Sequence, residues 1–172
     1  MTATEKLAFW LIPETQAREF FATIIGELAR RFDAPVFEPH LTLLGAIAND
    51  DKTRRVFRNL IVAPNYALEI AGIHFSERHT QTLFVRFHLS EKLRELHRAL
   101  GQALDLENTD DFDPHLSLLY KEMPLAQLEE LARNIKLPFQ RVSFAGLKLI
   151  AHPPTVTRRE DVKAFREIER RG

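Results

Sequence analysis

Hydrophobic residues recur along this 172-residue chain with two different spacings. Short apolar runs, such as residues 7–12, and the stretch at residues 66–75 predict β-strands, because side chains on a strand point to opposite faces in turn. In the longer segment at residues 14–32, apolar side chains return every three or four positions, which is the spacing of one face of a helix. The chain therefore combines both kinds of element.

The order of these elements predicts a duplication. Strands are expected at residues 7–12, 36–47, 66–75, 82–89 and 142–151, and another follows a polar loop at residues 107–114. Helices are expected at residues 14–32, between residues 49 and 64, after Ser90, and at residues 124–137. Strand–helix–strand–helix thus appears twice, which indicates a duplicated α+β unit. We expect residues 1–172 to form a single domain with two lobes.

One short phrase occurs twice, once in each half. Pro-His-Leu-Thr-Leu-Leu begins at residue 39 and Pro-His-Leu-Ser-Leu-Leu at residue 114, which places the two histidines 75 positions apart. On a regular strand, His40 and Thr42 share one face, as do His115 and Ser117, and the leucines point the other way. A lone histidine on an apolar strand is usually structural. Two copies with a hydroxyl at the same offset predict that each half gives an imidazole and a hydroxyl to one cleft.

The composition narrows the class of function. Lys and Arg number 24, Asp and Glu number 24, and the formal net charge is zero, whereas a non-specific binder of long nucleic acid needs an excess of cations. The chain has no Cys, which excludes disulfides and thiolate zinc sites and fits a cytoplasmic protein. It has no apolar run of about 18 residues, and its first residues lack the basic start and long apolar stretch that are typical of a signal peptide. We therefore expect a cytoplasmic monomer without a membrane partner.

Two imidazoles and two hydroxyls suit displacement at phosphorus. A neutral histidine can take a proton from water while a protonated one gives a proton to the departing oxygen, and hydroxyls can hold the phosphoryl oxygens. A serine hydrolase fits less well, because a hydroxyl two positions from its histidine points alongside it and no Gly-x-Ser-x-Gly elbow occurs. A metal site has only Glu38 and Asp113 near the histidines. We expect neither a metal nor another cofactor.

In its two His-x-(Thr/Ser) motifs, one per half, the sequence resembles the 2H phosphoesterase superfamily. Members of that superfamily include 2′-5′ RNA ligase-like proteins, RNA cyclic phosphodiesterases and small cyclic phosphodiesterases that act on ADP-ribose 1″,2″-cyclic phosphate. The resemblance covers nearly the whole chain in element order. The segment Phe-Trp-Leu-Ile-Pro at residues 9–13, and the second motif with its acidic, Leu-containing helix, are most similar to the small cyclic phosphodiesterases.

The resemblance implies a LigT-like fold, in which two lobes of antiparallel sheet backed by helices enclose a central groove. It also implies that His40, Thr42, His115 and Ser117 form a catalytic tetrad without metal. The expected reaction is hydrolysis of small cyclic nucleotide phosphates, either ADP-ribose 1″,2″-cyclic phosphate or nucleoside 2′,3′-cyclic phosphates, to monophosphates. We expect His115 to be the base and His40 the acid, although the sequence does not distinguish them.

The resemblance further implies that Trp10 and Tyr120 line the groove and bind substrate, with core packing as the alternative for both. Tyr120 is one step out of phase with Ser117, so a regular strand would turn it away. Arg86 and His88 share a strand face that could reach a nucleotide, although we expect this face to be solvated.

The C-terminal segment has two interpretations. Apolar residues at positions 162, 165 and 168 suit a helix, whereas the resemblance favours a strand that begins near Lys163. Both interpretations stay open at this point.

Two other functions remain open. An RNA-processing enzyme that acts on 2′,3′-cyclic ends or makes 2′-5′ joins would be expected to carry a basic stripe. A non-catalytic binding module for nucleotides or RNA would keep the groove without turnover, and the intact histidine and hydroxyl in both copies argue against it. The leading expectation is a hydrolase whose partner is a small cyclic nucleotide.

Overall fold

The computed structural model describes residues 4–60, 65–107 and 111–172. The strands are β1 (Lys6–Pro13), β2 (Leu41–Ala48), β3 (Tyr66–Phe75), β4 (Leu83–Phe87), β5 (His115–Leu119), β6 (Arg141–His152) and β7 (Arg166–Arg171). The helices are α1 (Thr15–Phe32), α2 (Asp51–Asn59), α3 (Glu91–Ala103), α4 (Leu125–Asn134) and α5 (Arg159–Lys163), with a 3₁₀ turn at His79–Gln81. The predicted order of strands and helices is confirmed.

Capping side chains mark two of the predicted helix starts. The Asp50 carboxylate accepts a hydrogen bond from the Thr53 amide at the start of α2. The Ser90 hydroxyl accepts one from the Leu93 amide at the start of α3. Both bonds satisfy amides that have no partner within the helix. Polar residues just before an apolar repeat therefore located these starts correctly.

Three predicted elements were too long by several residues, and the strand predicted at residues 82–89 spans only Leu83–Phe87. The first motif strand begins at Leu41 rather than at residue 36, because the prolines at positions 35 and 39 lack the amide that a strand ladder needs. The second helix ends at Asn59, and its expected last residues, 61–64, lie outside the described residues. The fourth helix ends at Asn134 rather than at 137, just before the proline at position 138, which disfavours helical backbone before it.

The C-terminal segment contains both elements that its pattern allowed. The short helix α5 buries Val162, and the strand β7 pairs antiparallel with β6 along Leu147–Ala151. The strand begins three residues after the expected Lys163.

All seven strands join one antiparallel sheet in the order β1-β2-β5-β4-β3-β6-β7. An additional β1–β6 pairing closes the first six strands into a ring. The third strand of each half pairs with the first strand of the other, as β3 with β4 and β6 with β1. The two halves are therefore interleaved, and their sheets are continuous.

The two motif strands meet at one residue pair. Leu41 of β2 is opposite Leu116 of β5, and each is the leucine that follows a motif histidine. Because equivalent positions pair with each other in an antiparallel register, the join lies on the axis that relates the two halves. The motif histidines and hydroxyls flank this join on one face of the sheet.

The leucine face of each motif belongs to the hydrophobic core. Leu41, Leu43, Leu116 and Leu118 are each at most 2% exposed. Helices cover this face: α1 packs on β1 and β5, α3 on β2, and α4 on β3. Burying a leucine or phenylalanine fully contributes roughly 1.5–3 kcal/mol, so burial of the leucine face fixes the opposite face of each motif toward the groove.

Candidate active site

Both motif histidines are held by the same local hydrogen bond. The Nδ1 of His40 lies 2.7 Å from the carbonyl oxygen of Glu38, and the Nδ1 of His115 lies 2.8 Å from that of Asp113. A carbonyl only accepts, so in the neutral ring Nδ1 carries the proton and donates it. Each Nε2 then carries a lone pair that can take a proton from a bound molecule.

The structure brings both motif copies to the same region. The Leu41–Leu116 pair joins the strands, and the register on either side directs His40 toward Ser117, and Thr42 toward His115. The positive charge of a protonated His115 lowers the pKa of His40, which is consistent with this proximity. All four residues predicted as catalytic therefore lie on one face of the sheet, around the β2–β5 join.

The two motif hydroxyls have different surroundings. Ser117 is 5% exposed, and its hydroxyl donates a 2.8 Å hydrogen bond to the carbonyl oxygen of Thr80. Thr80 belongs to the loop between β3 and β4, which this bond ties to the second motif. Thr42 is half-buried and lies opposite Trp10 of β1.

An aromatic ring supports each motif histidine. Trp10 stacks on His40 with 3.5 Å between ring centroids and 7° between planes. Phe84 contacts His115 edge-on, with centroids 5.4 Å apart and an interplanar angle of 67°. Trp10 and Phe84 occupy equivalent positions, since each lies opposite the motif hydroxyl on the first strand of its half. Phe84 was not predicted from the sequence. It precedes its motif histidine by 31 positions, against 30 for Trp10, and this similar spacing was the signal that could have indicated it.

An acidic residue two positions before each histidine binds a cation from a neighbouring strand. The carboxylate of Glu38 accepts hydrogen bonds of 2.8 and 2.9 Å from Lys148, which also pairs with Glu167 at 2.9 Å. The carboxylate of Asp113 accepts one of 3.0 Å from Arg86. Each acidic residue thus orients a histidine through its carbonyl and an ion pair through its carboxylate.

Two basic residues in these pairs were not assigned to the site beforehand. Arg86 lies opposite His115 in the β4–β5 register, and its side chain is 37% exposed. His88 is exposed, as expected. Lys148 lies opposite Trp10 on β6. An acidic residue lies two positions before each motif histidine. This repetition was the signal that could have indicated an ion pair beside both histidines.

Burial lowers the pKa of both motif histidines. His40 is 5% exposed, and loss of solvation lowers its pKa to about 4. The hydrogen bond to the Glu38 carbonyl acts in the opposite direction and raises the pKa. Burial also lowers the pKa of the more exposed His115, and the charges of Arg86 and Arg78 act in the same direction, while Asp113 opposes them. Both imidazoles are therefore mainly neutral near pH 7 in the free protein.

Tyr120 lies behind the first histidine. It is 5% exposed and stacks on Phe37 at 3.9 Å and 11°, and Phe37 in turn contacts His40 edge-on at 6.2 Å. Burial raises the pKa of the Tyr120 hydroxyl, and an interaction with Ser117 opposes this rise. Because β5 ends at Leu119, the alternation that would turn Tyr120 away from Ser117 no longer applies.

Within the described ranges, no three His, Cys, Asp or Glu side chains are grouped so that they could bind a metal ion. The helices of this described part also include none with the length and apolar character to cross a membrane.

Sequence comparison identifies related proteins. The family model of the 2′-5′ RNA ligase superfamily matches residues 13–153, which include both motifs. The cyclic phosphodiesterase of Arabidopsis thaliana is 22% identical over 116 residues. That match covers 66% of this chain and 64% of the relative, so it spans less than two thirds of the plant protein.

Structure comparison identifies the fold. E. coli LigT complexed with 3′-AMP has a TM-score of 0.60 and 20% sequence identity, over 98% of this chain and 97% of LigT. E. coli LigT complexed with ATP has a TM-score of 0.57 and 18% sequence identity, over 96% of each chain. The predicted α+β architecture, with antiparallel strands around a groove and helices outside, is confirmed as LigT-like.

Proposed function

Because the chain belongs to the 2′-5′ RNA ligase superfamily, we propose that it hydrolyses cyclic phosphodiesters of small nucleotides to monophosphates, with two histidines as proton acceptor and donor. One observation carries the proposal: in both motifs the Nδ1 atom is held by a carbonyl oxygen at 2.7–2.8 Å. That bond fixes the ring and leaves Nε2 free to exchange a proton. The relation to a plant cyclic phosphodiesterase supports the reaction type.

The proposed reaction needs one histidine in each protonation state. The neutral histidine takes a proton from water at Nε2 as the water oxygen bonds to phosphorus. The bond from phosphorus to one ribose oxygen breaks, and the protonated histidine gives its Nε2 proton to that oxygen. The net change is addition of one water, which leaves a phosphate monoester and a free hydroxyl. Each positioned proton transfer typically contributes about 10²–10⁴-fold.

The two environments favour an assignment opposite to the one expected from the sequence. His40 is the more buried histidine, and its pKa lies at about 4, so it stays neutral and suits the base. His115 is only half-buried and has Asp113 nearby to stabilise its charge, so it suits the acid. Environments that differ in this way separate acid from base in paired catalytic groups. We therefore propose His40 as base and His115 as acid.

The remaining predicted residues have supporting roles in this proposal. Thr42 and Ser117 donate hydrogen bonds to the non-bridging phosphoryl oxygens, where charge accumulates. For Ser117 this requires its hydroxyl to rotate away from the Thr80 carbonyl, which accepts its hydrogen bond in the free protein. Trp10 holds the His40 ring by stacking, and Tyr120 supports Ser117. Direct substrate contact by Trp10 or Tyr120 stays a prediction.

The second candidate is an enzyme that acts on RNA 2′,3′-cyclic ends or makes 2′-5′ joins. The family description favours this candidate, whereas the formal net charge of zero favours small substrates, because long RNA is bound through an excess of cations. Small nucleotides and oligonucleotides with the same cyclic end separate the two candidates.

The test uses purified protein with a chelator present. ADP-ribose 1″,2″-cyclic phosphate and the four nucleoside 2′,3′-cyclic phosphates are incubated with it, and products are read by phosphorus NMR. His40→Ala and His115→Ala should lower turnover by about 10²–10⁴-fold, and H88A, which removes an exposed histidine, is the matched control. Absence of turnover on every small substrate by a folded protein would refute the small-substrate proposal and direct the assay to RNA ends.

A further inference from the structure

The two walls of the groove differ in charge. On the wall formed by β1, β2, β6 and β7, Lys148 is paired with Glu38 and Glu167, and Arg170 is paired with Glu167 as well. The charges of these two cations and two carboxylates therefore sum to zero. Lys148 is only 15% exposed in its side chain, so its charge is already used within the protein.

The opposite wall carries an excess of positive charge. Arg86 lies opposite His115 on one side and opposite Gly72 on the other, and its guanidinium lies 5.5 Å from the centre of the Phe84 ring. Its only ion pair among the described residues is with Asp113. Its Nε is buried and has no hydrogen-bond partner in the described structure. The Asp113 pair uses one bond from Nη2, and the Arg86 side chain is 37% exposed, so the guanidinium keeps further N–H donors available beside His115.

A second arginine joins this wall from the β3–β4 loop. The backbone of Arg78 is fixed by hydrogen bonds from the Gln81 amide and the Thr82 hydroxyl to its carbonyl oxygen. The same loop is tied to Ser117 through Thr80. The Arg78 side chain is exposed and forms no ion pair within the described part of the chain. The positive charge of Arg78 contributes to lowering the pKa of His115.

On the β3 strand of this wall, a glycine lies beside an imidazole. Gly72, opposite Arg86, has no side chain, and the only atoms that an added Cβ would meet within 4 Å belong to His74. His74 lies opposite Phe84 on the same face. The wall thus combines two arginines, one carboxylate and the His74 imidazole, whereas on the first wall Lys148 is held in a neutralised ion-pair network.

We propose that Arg78 and Arg86 form a subsite for a second phosphate group of the substrate, beyond the cyclic phosphate that reacts between the histidines. This inference rests on the proposed function, because it takes the reacting phosphate to lie at the β2–β5 join. It names the preferred substrate class: a cyclic phosphodiester whose nucleoside carries a further phosphate or diphosphate. Arginine suits this role because its planar group donates several hydrogen bonds to phosphate oxygens.

Binding of stable product analogues tests the subsite without any turnover. Adenosine 3′-monophosphate and adenosine 3′,5′-bisphosphate, and the matching 2′ and 2′,5′ pair, are titrated calorimetrically into the wild-type protein. At least one bisphosphate should bind about 10-fold or more tightly than its monophosphate, as charge-assisted bonds to one added phosphate allow. The preference should fall toward unity in Arg78→Gln and in R86Q. Arg98→Gln removes the same charge from an exposed position on α3 and should keep it.

Each result decides the proposal. Equal binding of both members in each pair, a preference that survives in R78Q and R86Q, or no bisphosphate binding at millimolar concentration would overturn the subsite. Arg78 is exposed in a loop, so R78Q keeps the test valid if R86Q disturbs folding. An arginine-dependent preference with no turnover of any cyclic phosphate would leave the subsite standing and refute the proposed function. Turnover of a cyclic phosphate without a preference for bisphosphates would support the proposed function and refute the subsite.

Discussion

The two motif histidines have the same sequence context and the same Nδ1 hydrogen bond, yet their surroundings differ. His40 is stacked between the Trp10 ring and buried side chains at 5% exposure. His115 touches Phe84 only edge-on and remains half-exposed beside Arg86. Duplication thus supplied two equal chemical groups, and residues on neighbouring strands made them unequal. In the proposed mechanism, this inequality allows one imidazole to serve as base while the other serves as acid.

The largest expected effect comes from removing each histidine and changing the leaving group. On a cyclic phosphodiester, both His40→Ala and His115→Ala should lose about 10²–10⁴-fold in kcat/KM. On a 4-nitrophenyl phosphodiester, whose leaving group needs no proton, H115A should recover most of its loss and H40A should not. The measurement is kcat/KM for both substrates.

Recovery by H40A instead of H115A would reverse the assignment in favour of the one expected from the sequence. Recovery by neither would argue against a separate general acid.

The aromatic supports should differ in a second measurable way. Trp10→Ala removes a ring that is 5% exposed and stacked at 3.5 Å on His40, so it should lower the free energy of unfolding by about 3–5 kcal/mol. Phe84→Ala removes a ring that is 2% exposed and contacts His115 only edge-on, so it should cost less than Trp10→Ala, about 3 kcal/mol. Urea denaturation measures both. Similar losses in the two variants would contradict the view that the Trp10 stack is the stronger support.

The pH dependence of stability should identify His40. Its folded-state pKa of about 4 lies below the unfolded value of 6.5, so the unfolded chain takes up the proton first as the pH falls. The free energy of unfolding should therefore decrease between about pH 6.5 and 4, by roughly 2–3 kcal/mol from this group. His40→Gln should lack that part of the decrease.

Urea denaturation of both proteins from pH 8 to pH 4.5 gives this difference. The two curves should run parallel between pH 7 and 8, and parallel curves down to pH 4.5 would show that His40 is not the group responsible.

The smallest effects concern the two ion pairs. Lys148→Met breaks pairs with Glu38 and Glu167 at a lysine that is 15% exposed. It should cost about 1–3 kcal/mol because Glu38 loses its partner and Glu167 keeps only Arg170. Asp113→Asn breaks the Arg86 pair, whose side chains are 37% and 44% exposed, and should cost less than about 1 kcal/mol. Thermal or urea unfolding at low and high salt compares them. A larger loss of stability in D113N than in K148M would contradict the expectation that the more buried ion pair contributes more.

The residue pattern alone determined the element order, the duplication and the four side chains of the two motifs. These follow from local physics: period-two and period-3.6 burial, capping side chains, and the strand geometry that puts a histidine and a hydroxyl on the same face. The repeat itself indicated a shared groove, because a duplicated unit brings equivalent positions together.

Only the tertiary structure decided how the two copies differ. Lys148 is 110 positions from Glu38, and Arg86 is 27 positions from Asp113, so strand register and not sequence spacing makes these pairs. Burial of His40 under Trp10 likewise depends on the β1–β2 pairing. Local periodicity fixes which face a side chain occupies, whereas its pKa and ionic partners depend on strands that the chain reaches only when the sheet closes.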